Sequence, residues 1–154
     1  MGGIREEDSR GERVRFLDAD VFIYACYKPR RQLTQKEGQM KELAKRIVSD
    51  VSQGRERVVT TVVHLSEVVS ILKHGMPAED LARLITGLLT MDNVEVHGVS
   101  GEDYLAAAEL GKELRLDPND ALAVDVMRAR GITEIYSFGR DFEKIEGITG
   151  LPRI

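Results

Sequence analysis

The sequence predicts an α/β fold of three layers, a mostly parallel central sheet flanked by helices on both faces. Two observations lead there. Short apolar or β-branched runs (VRFL, RVVTT, VEVHG, ITEIYSF) alternate with longer segments of helical period. Helical segments between successive strands supply the crossovers that parallel pairing requires. Several of these connections hold two helices rather than one.

Each element has its own local cause. VRFL reads as a short buried strand, and DADVFIYACY as a turn running into a helix that breaks at Pro29. From Thr34 to about Gln53 the spacing of Met40, Leu43, Ile47 and Val51 predicts a helix, stopped by Gly54. RVVTT is a second strand leading into a helix over roughly 61–73, which Gly75 and Pro77 terminate. Residues 78–91 form another helix, with Leu81, Leu84, Ile85, Leu88 and Leu89 on one side. After the strand VEVHG, Ser100 and Asp103 make a capping signature for a helix to about Leu114. Asp117 is the N-cap and Pro118 the first position of a helix that stops at Gly131. ITEIYSF is read as the last strand, followed by a polar loop and a tail. Residues 1–13 are charged, lack an apolar core and are expected to be disordered, leaving 14–154 as a single domain.

Composition narrows the function. The net charge of −4 gives no bulk field for a polyanion, although a cluster of catalytic acids would itself make the total more negative. The single cysteine, Cys26, excludes an intrachain disulfide and a cysteine-based zinc site. No secretory signal and no apolar span of bilayer length are present, so the cytoplasm is the expected compartment and no membrane partner is expected.

The acids carry the chemical information. Between Arg57 and Lys73, Glu67 is the only charged residue. Burying a lone carboxylate is costly unless it is paired, protonated or bound to a cation. On the helical wheel Val62, Leu65, Val68, Val69 and Leu72 face the core and Glu67 points away, yet Val63 and Ile71 beside it are apolar. A surface Glu, or one paired with a distant Arg, is the alternative. Asp18 and Asp20 end the first strand, where open α/β sheets place their ligand sites. One acid suffices for an N-cap; two suggest more. Asp120 sits at the third position of its helix, suited to the positive end of the macrodipole, and borders the apolar stripe. Asp125 and Arg128 lie on the solvent side and suit one another as an ion pair. His64, His74 and His97 lack metal-ligand spacing and are read as incidental. An all-oxygen set suits Mg²⁺ or Mn²⁺ rather than zinc.

In order and spacing, LDADVFIY, VVHLSEVVSIL, NDALAVDVMRARG and YSFGRDF resemble the motifs of the PIN-domain family, the fold of VapC-type toxin ribonucleases. The resemblance covers nearly the whole chain after residue 13. It implies a PIN-like fold in which Asp18, Glu67 and Asp120 are catalytic and bind Mg²⁺ or Mn²⁺, with Ser137 orienting a carboxylate or water. It further implies hydrolysis of RNA by a metal-activated water, a small antitoxin protein as partner, and a homodimer. Gly139 departs from the pattern, which has a fourth acid two residues after Ser137. Asp20 is the candidate to replace that charge; Asp141 is nearby and expected to face elsewhere. Lys28, Arg30, Arg31 and Arg140 are the candidate RNA contacts, with a solvated loop as the alternative for the first three.

Two other readings compete. A non-catalytic PIN-fold module binding RNA or protein accounts for Gly139. A haloacid-dehalogenase-type phosphatase would use Asp18 and Asp20 as its D-x-D, but Phe22 stands where that family has Thr or Val, and Glu67 is left unexplained.

Overall fold

The computed structural model describes residues 13–153. In chain order the elements are β1 (Val14–Leu17), α1 (Ala19–Cys26), α2 (Gln35–Ser52), β2 (Arg57–Thr61), α3 (Val62–Leu72), α4 (Ala78–Thr90), β3 (Val94–His97), α5 (Gly101–Leu114), α6 (Pro118–Arg130), β4 (Glu134–Tyr136), a 3₁₀ turn (Arg140–Lys144) and β5 (Thr149–Leu151). The five strands form one sheet in the order β3-β2-β1-β4-β5, and every pairing is parallel.

The pleat sorts each strand between two cores. Val14 and Phe16 of β1, Val59 of β2 and Ile135 of β4 join Ala121, Val124, Met127 and Phe142 on one face. Leu17 and Val58, pointing the other way, pack with Val21, Phe22, Ala44, Ile47, Leu65, Val68 and Leu72. The sheet is therefore buried on both sides, as parallel sheets are, and the three layers expected from the sequence are present.

Caps set the helix starts, at Ser100 and Asp117 as the sequence indicated. Thr34 and Glu37 form a capping box on α2, and Ser100 and Asp103 another on α5. Asp117 caps α6 with Pro118 in its first turn, and Gly131 ends it at φ 68°.

Several expectations need correction. The tail expected over residues 1–13 lies outside the described residues except for Arg13, which pairs with Glu134. The strand ITEIYSF shortens to Glu134–Tyr136, and β5 lies in the segment read as loop and tail. A three-residue edge strand containing Gly150 offers almost no periodic signal, so only its pairing with β4 defines it. Val62 is exposed, and the buried face of α3 is completed by His64 instead. Leu89 of α4 is also exposed. Among the described residues Asp125 and Arg128 make no ion pair with each other.

Candidate active site

The chain leaves β1 toward β2 on one side, and β4 then joins β1 on the other. The carboxyl ends of β1 and β4 thus flank the point where the strand order reverses, the crevice in which open α/β sheets bind ligands. Asp18 follows β1 and Ser137 follows β4. Continuation of the β1–β4 pairing, through the Asp18 N–H donating to the Tyr136 carbonyl at 3.0 Å, holds the two residues side by side.

Asp18 is 8% exposed and fully engaged. Its Oδ1 accepts from the Ala19 N–H at 2.8 Å, capping α1, and its Oδ2 accepts from the Ser137 hydroxyl at 2.7 Å. Ser137 Oγ in turn accepts from the Gly139 N–H at 3.0 Å. Asp20, one position into α1, accepts at Oδ2 from the Phe138 N–H at 3.0 Å and lies 3.3 Å from the Ser137 hydroxyl. One hydroxyl proton cannot serve both acids fully, and the shorter bond goes to Asp18. Asp20 Oδ1 is buried with no hydrogen-bond partner among the described residues. Burial, then the neighbouring Asp18, pushes the Asp20 carboxyl up to about 7.

Two helix residues complete the cluster. Glu67 is half-buried on α3, and its Oε1 accepts from the Asn119 side-chain amide at 2.7 Å. The Asn119 side-chain oxygen accepts from the Tyr104 hydroxyl, so α5 and α6 together fix the α3 carboxylate. Burial first, and then Asp18 and Asp117, raise the Glu67 carboxyl above its ordinary value. Asp120, in the first turn of α6, is pushed up to about 7 by burial and by the charges of Asp117, Asp18, Glu67 and Asp141, in that order. Asp141, expected to face elsewhere, is within electrostatic reach of Asp120.

The structure therefore gathers Asp18, Asp20, Glu67 and Asp120 into one electrostatic neighbourhood, with Ser137 at its base. Among the described residues no three acid, His or Cys side chains stand close enough to hold a metal ion as placed. The donor set nevertheless fits a hard divalent cation. It is all oxygen, two of its acids are raised toward neutrality by crowding and burial, and one buried carboxylate oxygen lacks a donor.

Gly139 carries no side chain toward the cluster, and a Cβ added there would meet Ser137 Oγ at 3.3 Å. Of the expected RNA contacts, Arg31 is engaged by Glu37. Lys28 and Arg30 are exposed near the far end of α1, about 12 Å along the helix from Asp18. Arg140 lies beside the cluster, lining a cleft with Ser137 and Gly139.

Sequence reasoning missed Asn119 and the burial of His64. In NDAL the local chemical signal is the charge of Asp120, and nothing in the adjacent sequence shows that Asn119 reaches α3. His64 is 1% exposed, its Nδ1 is 2.7 Å from Thr61 Oγ1, and its ring packs edge-on against Phe16. Burial holds it below the usual imidazole range and therefore neutral.

Comparison with known proteins agrees with this architecture. The sequence profile of the PIN domain matches residues 15–148. The fold is similar to that of Mycobacterium tuberculosis VapC20, a sarcin-ricin loop cleaving toxin, with TM-score 0.59 and 21% identity over 84% of this chain and 92% of that one. It is also similar to Rickettsia felis VapBC2, solved bound to a DNA fragment from its promoter, with TM-score 0.57 and 13% identity over 89% of this chain and 96% of that one. No curated protein sequence matches significantly.

Proposed function

This chain belongs to the PIN-domain family, and from that premise we propose that it is a divalent-metal-dependent endoribonuclease, the toxin of a toxin–antitoxin pair. The observation that supports the proposal is the mutual electrostatic influence of Asp18, Asp20, Glu67 and Asp120, with Asp18 following β1 where the strand order reverses. These four carboxylates would hold Mg²⁺ or Mn²⁺. Bound there, the cation would lower the pKa of a coordinated water, polarise the phosphodiester and offset charge on the leaving oxygen.

The protein's own groups position that chemistry. Ser137 fixes the orientation of Asp18, and the Ala19 N–H holds its second oxygen. Asn119, itself anchored by Tyr104, holds Glu67 from the opposite wall. Asp20 supplies the negative charge that Gly139 lacks. As an antitoxin-regulated enzyme the protein would work in the cytoplasm, as a homodimer. Among the described residues no helix is long and apolar enough to cross a membrane.

The test is cleavage of a mixed structured and single-stranded RNA pool by wild type, Asp18→Asn and Glu67→Gln, in Mn²⁺ and in EDTA. Metal-dependent cutting by wild type alone supports the nuclease. Gly139 favours a second reading, a non-catalytic binding module. No cutting by any form, with Mn²⁺ leaving the melting temperature unchanged, would establish that reading instead.

A further inference from the structure

A cluster of acids repels a polyanionic substrate wherever bound cations do not offset its charge. The chain as a whole, at −4, does not compensate. A local positive element close to the acids would offset that repulsion.

One such element borders the site. A cleft of about 370 Å³ opens between the start of α2, the end of β4 and the segment after β5, and it shares Ser137 and Gly139 with the acid cluster. Lys36, Arg140 and Arg153 line it. All three are exposed, and none of them makes a hydrogen bond or ion pair with a described residue. Glu143 is the acid on its wall, leaving a surplus of two positive charges. Half-buried Phe138 also lines the cleft and presents an aromatic surface beside the cations. Unpaired cations along a groove with an aromatic wall are the ingredients of single-strand recognition, in which the backbone follows the charges and a base stacks on the ring. The three cations come from segments far apart in sequence, so the fold itself brings them together.

We propose that this cleft holds the phosphodiester backbone of single-stranded RNA next to the scissile bond, with Lys36, Arg140 and Arg153 as phosphate contacts. The inference rests on the nuclease reading for its substrate, but binding and cleavage test the two separately.

The experiment measures binding of a labelled single-stranded RNA oligomer in EDTA across a salt series. Wild type is compared, on the single strand and on its duplex, with Lys36→Ala/Arg140→Ala/Arg153→Ala, with Arg140→Ala alone, with Lys28→Ala/Arg30→Ala, and with a control, Arg46→Ala/Arg128→Ala, on exposed cations elsewhere. Three phosphate contacts steepen the logarithmic salt dependence by about 2, so raising salt from 50 to 200 mM should cost wild type roughly twentyfold more affinity than the triple variant. Arg140→Ala should lose about a third of that slope, and the control none. Equal affinity and slope for wild type and triple variant would overturn the proposal. So would equal loss in the control, preference for duplex RNA, or loss only in Lys28→Ala/Arg30→Ala. Circular dichroism and melting temperature verify that each variant is folded. Cation-dependent binding without Mn²⁺-dependent cleavage would refute the nuclease and leave the cleft standing. Cleavage at equal kcat/KM by wild type and triple variant would refute the cleft and leave the nuclease standing.

Discussion

Replacing Asp20 by Asn should stabilise the metal-free protein while weakening its hold on metal. The substituted amide keeps an oxygen to accept from the Phe138 N–H and removes a negative charge beside Asp18. An ordinary Asp titrates near 3.8, whereas burial and Asp18 raise Asp20 to about 7. A carboxyl whose folded-state pKa is raised takes up a proton on folding between those two values. Its ionisation therefore erodes stability as pH climbs from about 4 to about 7, and the loss is complete above that window. At about 1.4 kcal/mol per tenfold change in proton affinity, the loss is on the order of 2–4 kcal/mol. In EDTA at pH 8, Asp20→Asn should melt roughly 5–12 °C above wild type, and at about pH 3.5 the two should nearly coincide. Asp120, raised for the same reasons, leaves a residual slope of the same sign in the variant. In Mn²⁺ the variant should gain less than wild type does. Thermal denaturation across pH, with and without Mn²⁺, makes the comparison. A variant less stable than wild type at pH 8 in EDTA, or a difference independent of pH, would refute the reasoning.

Other substitutions probe the supports of the site. Asn119→Ala releases Glu67 and should lower Mn²⁺ affinity or cleavage about 10–100-fold with the fold intact; calorimetric titration showing unchanged affinity would rule out a positioning role for Asn119. Ser137→Ala strips a donor from Asp18 and an acceptor from Gly139, and should cost about 1–3 kcal/mol in urea denaturation. Gly111→Ala would drive a Cβ to 2.6 Å from the Leu116 carbonyl and should destabilise by about 1–3 kcal/mol. Gly38→Ala, in open space on α2, should instead stabilise by about 0.5–1 kcal/mol. Equal effects of the two glycine changes on the denaturation midpoint would contradict the packing described at Gly111.

The parts legible in the sequence are those set by short stretches of chain. Asp18 and Asp20 are tied to the end of β1 by adjacency, and Ser100 and Asp117 announce their helices through local capping chemistry. Glu67 stood out because it lies alone among apolar residues, a contrast that survives any tertiary arrangement. What stayed hidden depends on distant partners. Asn119 matters only because α6 is packed beside α3. Lys36 and Arg153 form a cleft only after β5 docks on β4, and β5 is too short to announce itself. The burial of His64 was not legible because helical spacing gives its direction without showing that Val62, the more apolar residue, faces solvent.

Direct titration of Mn²⁺ into the purified protein, followed by calorimetry at neutral pH, decides whether these acids form a metal centre. Wild type should bind Mn²⁺ at defined stoichiometry, and Asp18→Asn, Glu67→Gln and Asp120→Asn should each lose affinity at least about tenfold while remaining folded. No binding by wild type, or equal binding by all four proteins, would contradict the assignment.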